Sequence, residues 1–201
     1  MLALSQANIV VLARKFNPSI VSNEWLAEKG IITEPIGQFV HTEVLSLVEA
    51  ESLSLVLDEG RLQVALKAPA SSNLNQLADS VKQFIHQLPE TPYRAVGLNF
   101  AFTIDEASLA RNPILNPAPE RMQALFGDIY QLGARVTFPV NGFTAKLELP
   151  PAGLTDKLAE ASFNFHASVA GMKAALDSLD KHAAAFDKAE SIMKEIARNG
   201  D

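Results

Sequence analysis

The histidines are the side chains of this sequence best suited to acid–base chemistry, and two of the four lie near the C-terminus. His166 belongs to the segment SFNFHAS, in which aromatic and polar residues alternate as they do in a strand. Phe163 and Phe165 then share one face of the strand, and Asn164 and His166 share the other. A surface or structural histidine on a polar sheet face is the favoured interpretation, with binding or catalysis as the alternative.

The second of these histidines, His182, lies in a helical segment, three positions after Leu179 and four before Phe186. That spacing places it at the margin of an apolar helix stripe and predicts a half-buried boundary residue. His166 and His182 therefore face different surfaces and do not form a pair. No two histidines have the i, i+4 spacing with a carboxylate that a zinc protease needs, and there are no cysteines. We predict no metal site.

Signatures of nucleophilic or phosphate chemistry are missing from the sequence. It has no G-x-S-x-G elbow, no G-x-G-x-x-G motif and no P-loop. We therefore assign no catalytic residue and no cofactor. Two adjacent strands can bring polar side chains within hydrogen-bond reach of one another, and such side chains could bind a ligand or act on a substrate. The candidate binding residues are His166, Asn164 and Asn99, with Arg14 and Tyr93 nearby.

Charge and hydropathy limit the class of partner. The 201 residues carry a net charge of −6, which argues against nucleic acid and against an anionic membrane surface. The N-terminus lacks the positive region of a signal peptide, and no stretch approaches the roughly 20 apolar residues of a membrane span. With no cysteine, these features predict a soluble cytoplasmic protein without nucleic-acid or membrane partners.

Apolar periodicity and turn residues divide the first half of the chain into six elements. In order, these are a strand over 8–16, a short helix after Asn17-Pro18 that ends at Gly30, a strand over 39–50, a hairpin of strands 53–57 and 62–66, and a helix over 73–88.

The second half repeats this order. We predict a strand over 93–104, a loop over 105–119, a helix from Pro119 to just before Gly133, a hairpin around Asn141-Gly142, a strand over 162–168 and one long helix over 171–198. One face of the 93–104 strand carries small residues, which predicts that a helix or another backbone lies close above it.

These elements predict a single α+β domain over residues 1–201. Its largely antiparallel sheet of about eight strands carries the helices mainly on one face, with the long C-terminal helix packed across it. The order β-α-β-β-β-α occurs in two pseudo-repeats, about 1–90 and 91–201. Within them, ADSVKQFIHQL (78–88) and LDSLDKHAAAF (176–186) are similar in pattern.

The segments YRAVGLNFAFTI and FNFHASVAGMKAALDSLDKHAAAF also carry a family resemblance. They resemble parts of a large group of uncharacterised bacterial proteins, usually somewhat longer than this chain. The matching residues are Gly97-Leu98-Asn99-Phe100 in the strand and Leu176, Leu179, His182 and Phe186 in the helix. The spacing from His182 to Phe186 is one residue shorter than in that group. The resemblance covers about half of the chain and implies an α+β fold and no established activity.

Three functions follow as hypotheses. The favoured one is a non-enzymatic binding or protein-interaction module that forms a homodimer, because catalytic signatures are missing, the last helix is long and a strand edge lies near Pro139. The first alternative is a helix-grip-like pocket for a small apolar ligand, lined by Phe163, Phe165, Phe100, Phe102 and Trp25. The second is an enzyme that uses the polar strand residues around His166.

Overall fold

The computed structural model describes residues 2–153 and 157–198. Within them lie nine strands: β1 (Leu2–Ala13), β2 (Ile36–His41), β3 (Leu45–Ala50), β4 (Leu53–Asp58), β5 (Arg61–Leu66), β6 (Tyr93–Asp105), β7 (Leu132–Val140), β8 (Phe143–Ala152) and β9 (Leu158–Ser168). The α-helices are α1 (Asn23–Glu28), α2 (Leu74–Gln87), α3 (Glu106–Arg111), α4 (Pro119–Phe126), α5 (Met172–Leu179) and α6 (His182–Arg198).

The nine strands form one antiparallel sheet in the order β2-β3-β4-β5-β1-β6-β9-β8-β7. The two halves of the chain meet at the central pair, where Asn8 lies opposite Asn99. On either side of this junction, the first strand of each half pairs with its last strand, β1 with β5 and β6 with β9. The order is therefore symmetric about β1 and β6, apart from one additional strand in the first half. That the two halves arose by duplication stays a prediction.

The core lies between one face of the sheet and the helices. Leu98 and Phe100 of β6 are at most 1% exposed, as is Phe165 of β9. Phe84 of α2 is fully buried from the helix side, and the Phe186 ring of α6 lies edge-on to Phe100 at 5.5 Å. Burying side chains of this size contributes about 2 kcal/mol each to the free energy of unfolding.

The structure confirms the predicted α+β class, with one strand more than the eight expected. The additional strand arises because the segment 39–50, predicted as one strand, is two strands that pair with each other. The chain reverses between them, where the Thr42 hydroxyl accepts a hydrogen bond from the Leu45 N–H. No glycine or proline marks this turn, and the apolar alternation masks it.

Three predictions about the helices are wrong. Residues 106–111, predicted as loop, form α3. Helix α4 ends at Gly127, whose φ of 81° suits glycine, and the chain is extended again from Leu132. The long C-terminal helix is interrupted, because the Lys181 N–H bonds to the Ser178 carbonyl three residues back and the chain resumes as α6 at His182.

Within the described residues, no helix is long and apolar enough to cross a membrane.

Candidate functional site

Three of the five predicted site residues, His166, Asn164 and Asn99, lie together on the sheet face that points away from the helices, here called the open face. Asn99 lies between Asn8 on one neighbouring strand and Asn164 on the other. The Asn99 amide donates to Asn8 Oδ1 at 2.9 Å, and the Asn164 amide donates to Asn99 Oδ1 at 2.7 Å. The central strands thus carry a hydrogen-bonded row of three side-chain amides.

His166 is exposed and lies between Gly97 of β6 and Thr144 of β8. No described side chain hydrogen-bonds to it. The polar row and His166 together present hydrogen-bond donors and acceptors on the open face.

The small residues of β6 are not covered by a helix, contrary to the prediction from their size. They lie on the open face, where no described element packs over them. A Cβ built on Gly97 would lie 3.6 Å from the Asn164 amide nitrogen, so the neighbouring amide already fills much of the space beside this glycine. Two shallow depressions, of about 310 and 410 Å³, flank the amide row.

The carboxylates at the margin of the amide row accept hydrogen bonds from neighbouring side chains. Glu148 accepts from Lys146 at 2.9 Å and from Arg135 at 2.6 Å, and the hydrogen bond from Lys146 is the main reason that its pKa is lowered. Glu160 accepts hydrogen bonds from Ser5 and Gln6 of β1. The open face of the second half therefore mixes both signs of charge.

The other two predicted site residues lie elsewhere. Tyr93 is 2% exposed, packs edge-on against Phe16, and donates its hydroxyl to the Leu88 carbonyl just after α2. Burial raises the pKa of Tyr93 to about 12, so the hydroxyl stays protonated at pH 7. Through its hydrogen bond to Leu88, the tyrosine connects β6 to the end of α2. Arg14 is exposed and follows the last residue of β1. Neither residue joins the amide row.

The prediction that His182 is half-buried is wrong. The side chain is 2% exposed, its ring centroid lies 5.3 Å from that of Phe100, and neither ring nitrogen has a hydrogen-bond partner. Burial, with a smaller contribution from the charge of Lys82, lowers the pKa of His182 to about 4. It is a neutral core residue at pH 7.

The aromatic residues predicted to line a ligand pocket are packed against one another instead. Phe163 stacks on Phe165 at 6.0 Å and lies edge-on to Phe102 at 6.1 Å. Trp25 lies edge-on to Phe84 in the first half of the chain, at 5.6 Å. These rings form core contacts.

A second candidate surface, which the sequence analysis did not identify, lies on α4 and the turn after it. The α4 surface, as we call it, consists of Leu125, Phe126 and Ile129, which are 67%, 61% and 95% exposed. Helix α4 buries none of its residues. The amphipathic spacing was visible in the sequence, but nothing in the spacing tells whether an apolar face contacts the chain's own core or another molecule.

A cavity of about 560 Å³ lies beside this surface, with walls from α3, α4, β7 and the end of β8. Elsewhere in the described chain, no group of three or more His, Asp or Glu side chains is arranged to hold a metal ion.

Comparison with known proteins gives no match, either to a family model or to a curated protein sequence. The resemblance to the bacterial group stays a prediction, and the functional argument rests on the geometry.

Proposed function

We propose that this protein is a non-enzymatic interaction module that forms a homodimer through the α4 surface and the adjoining edge of the sheet. The observation that carries the proposal is the exposure of Leu125, Phe126 and Ile129 within five consecutive positions. Single apolar side chains at a surface are ordinary, but a cluster of large ones is typical of an interaction site.

The edge of the sheet next to this cluster supports the choice of a second copy as the partner. Strand β7 ends the strand order, so within the described residues nothing pairs with its outer side. An open edge presents unpaired N–H and C=O groups, which template pairing with another strand. Val136 of β7 is 46% exposed and adds apolar area.

A two-fold axis suits this arrangement. Two copies of β7 related by such an axis would run antiparallel, as every paired strand of the sheet does. Each copy would bring its own α4 surface to the same interface, since α4 and β7 are joined by residues 127–131. Pro139, which has no N–H to donate, would limit pairing to the part of β7 before it.

The same proposal extends to the setting of the protein. The lack of cysteine supports a cytoplasmic location. The family resemblance supports a bacterial source. The net charge of −6 supports partners other than nucleic acid.

Sedimentation velocity of matched variants tests the proposal. Phe126→Glu places a charge in the proposed interface, and Val44→Glu places one at a residue that is 59% exposed beside β3. Hot-spot residues near the centre of an interface contribute about 2 kcal/mol or more, so Phe126→Glu, if Phe126 is such a hot spot as we propose, should weaken the dimer at least about 30-fold. Val44→Glu should leave the dimer intact. A wild-type protein that stays monomeric at micromolar concentration, or two variants that behave alike, would overturn the proposal.

A further inference from the structure

The cavity between the second-half helices and the sheet has the size and the wall of a small-molecule site. Its volume of about 560 Å³ lies within the range of ligand pockets, about 300–1,000 Å³. Ala110 of α3, Leu132 of β7 and Ala152 of β8 supply apolar wall, and Ile129 borders the same space. The core aromatics predicted to line a pocket take no part in it.

The polar groups of this wall include both hydrogen-bond donors and acceptors. Glu120 and Asp128 contribute carboxylates, Arg111 contributes a guanidinium, and Gln131 and Tyr130 can both donate and accept. Asp128 accepts a hydrogen bond from the Gln123 amide. With two carboxylates against one guanidinium among the described lining residues, the wall suits a neutral ligand that donates hydrogen bonds better than an anion.

Asn116 is one of the lining residues, and its side chain carries a buried acceptor that the described part of the fold leaves unused. The residue is 9% exposed, and its amide nitrogen donates to the Tyr130 hydroxyl at 3.0 Å. Its side-chain oxygen Oδ1 is buried and has no hydrogen-bond partner among the residues that the structure describes. An enclosed acceptor without a partner costs about 1–3 kcal/mol. A ligand that donates to it would recover much of that free energy.

We infer that this cavity binds a small apolar molecule bearing an N–H or O–H group, with the donor directed to Asn116 and the apolar body against Ala110, Leu132 and Ala152. Ile129 of the α4 surface borders the cavity, but Leu125 and Phe126 do not line it, and Asn116, Ala110 and Ala152 lie outside that surface, so the inference does not require the homodimer.

Indole and 1-methylindole test the inference, since they share a ring system and only indole can donate. Titration of the 15N-labelled protein should show shifts at the amides of Ala110, Leu132 and Ala152. Indole should bind about tenfold more tightly than 1-methylindole, as expected for one recovered hydrogen bond. Asn116→Leu should abolish that preference, and Asn75→Leu, the same change at an exposed position of α2, should preserve it.

Two further variants keep the outcome decisive. Ala110→Trp fills the cavity and should abolish binding of both probes, even if Asn116→Leu proves too unstable to study. Phe126→Glu should bind indole normally, which separates the cavity from the dimer. Equal affinity of the two probes for the wild type, no shifts at the wall, or shifts confined to Leu125 and Phe126 would overturn the inference.

Discussion

Each half of the chain inserts a segment after its first strand, and the two segments differ in what their apolar side chains contact. In the first half, Ser22 caps α1, Leu26 is fully buried, and the Trp25 ring packs on Phe84. In the second half, α4 buries none of its residues, and Leu125 and Phe126 are exposed. The second segment also places Leu109 of α3 in the core, at 1% exposure, so the difference between the halves lies in α4, which is a surface helix.

The difference shows that amphipathic spacing predicts an apolar helix face but does not tell whether that face contacts the chain's own core or another molecule. Residues after α1 complete the core, since Ile31 and Ile32 are 2% and 1% exposed. In the second half, by contrast, Leu125, Phe126 and Ile129 are 67%, 61% and 95% exposed. They remain available to another molecule, and this is the basis of the proposed dimer.

The largest effect should come from truncating the first segment. Leu26→Ala removes a fully buried side chain and should lower the free energy of unfolding by about 4 kcal/mol. Leu125→Ala, the same change at the exposed position, should alter it by less than about 0.5 kcal/mol. Urea unfolding at a concentration where the protein is monomeric measures both. Similar losses for the two variants would contradict the comparison.

A smaller effect should distinguish two buried residues of the core helices. Phe84 and His182 occupy the same position in the similar segments 78–88 and 176–186, and both are buried. The folded-state pKa of His182, about 4, lies below the ordinary value of 6.5. The unfolded chain therefore binds the proton more readily. Stability from the neutral histidine is complete above pH 6.5 and is lost as the pH falls towards 4.

His182→Phe introduces the side chain that the first half carries and should remove this loss. Between pH 7 and pH 4, the wild type should lose about 3 kcal/mol more than the variant. Carboxylates titrate in both proteins and cancel in the difference. His86→Phe, at an exposed position of α2, serves as the control and should keep the wild-type pH dependence. If His182→Phe keeps it as well, the histidine is not neutral in the folded core.

The smallest effect should come from the hydrogen bonds between Glu34, in the segment that follows α1, and the sheet. Glu34 accepts hydrogen bonds from the Ser52 and Leu53 N–H groups, at 2.8 and 2.9 Å, and from the Ser52 hydroxyl. Burial raises its pKa, but these bonds together outweigh burial, and the net pKa is lowered.

Glu34→Gln should lower the free energy of unfolding by about 1 kcal/mol at pH 7. Because the folded-state pKa is lowered, this contribution is present above pH 4.5 and disappears as the pH falls through the folded-state value. Glu51→Gln, at an exposed neighbour, should change little at either pH. A loss for Glu34→Gln that persists in acid would show that the carboxylate charge does not matter.

The sheet and its core face were predictable from the sequence because alternation is a local signal. Phe163 and Phe165 indicated which face of β9 is buried, and Asn164 and His166 were correctly placed on the other face together with Asn99. The alternation of β6 was interpreted in the same way, but the cover expected over its small residues and the position of Tyr93 were wrong.

Contacts between distant segments could not be predicted from such local patterns. The burial of His182 depends on Phe100 of a different strand. Tyr93 was considered a polar strand residue, but its hydroxyl reaches the end of α2. The cavity beside Asn116 requires four elements, α3, α4, β7 and β8, whose relative positions only the fold defines.

Hydrogen–deuterium exchange over a range of protein concentrations tests the central comparison most directly. If the second segment contacts another copy, protection of the backbone amides in 119–140 should rise with concentration as the dimer forms. Protection in 23–41, which includes α1 and the opposite sheet edge β2, should not change. Protection that is independent of concentration in 119–140, or that rises only at β2, would contradict the account.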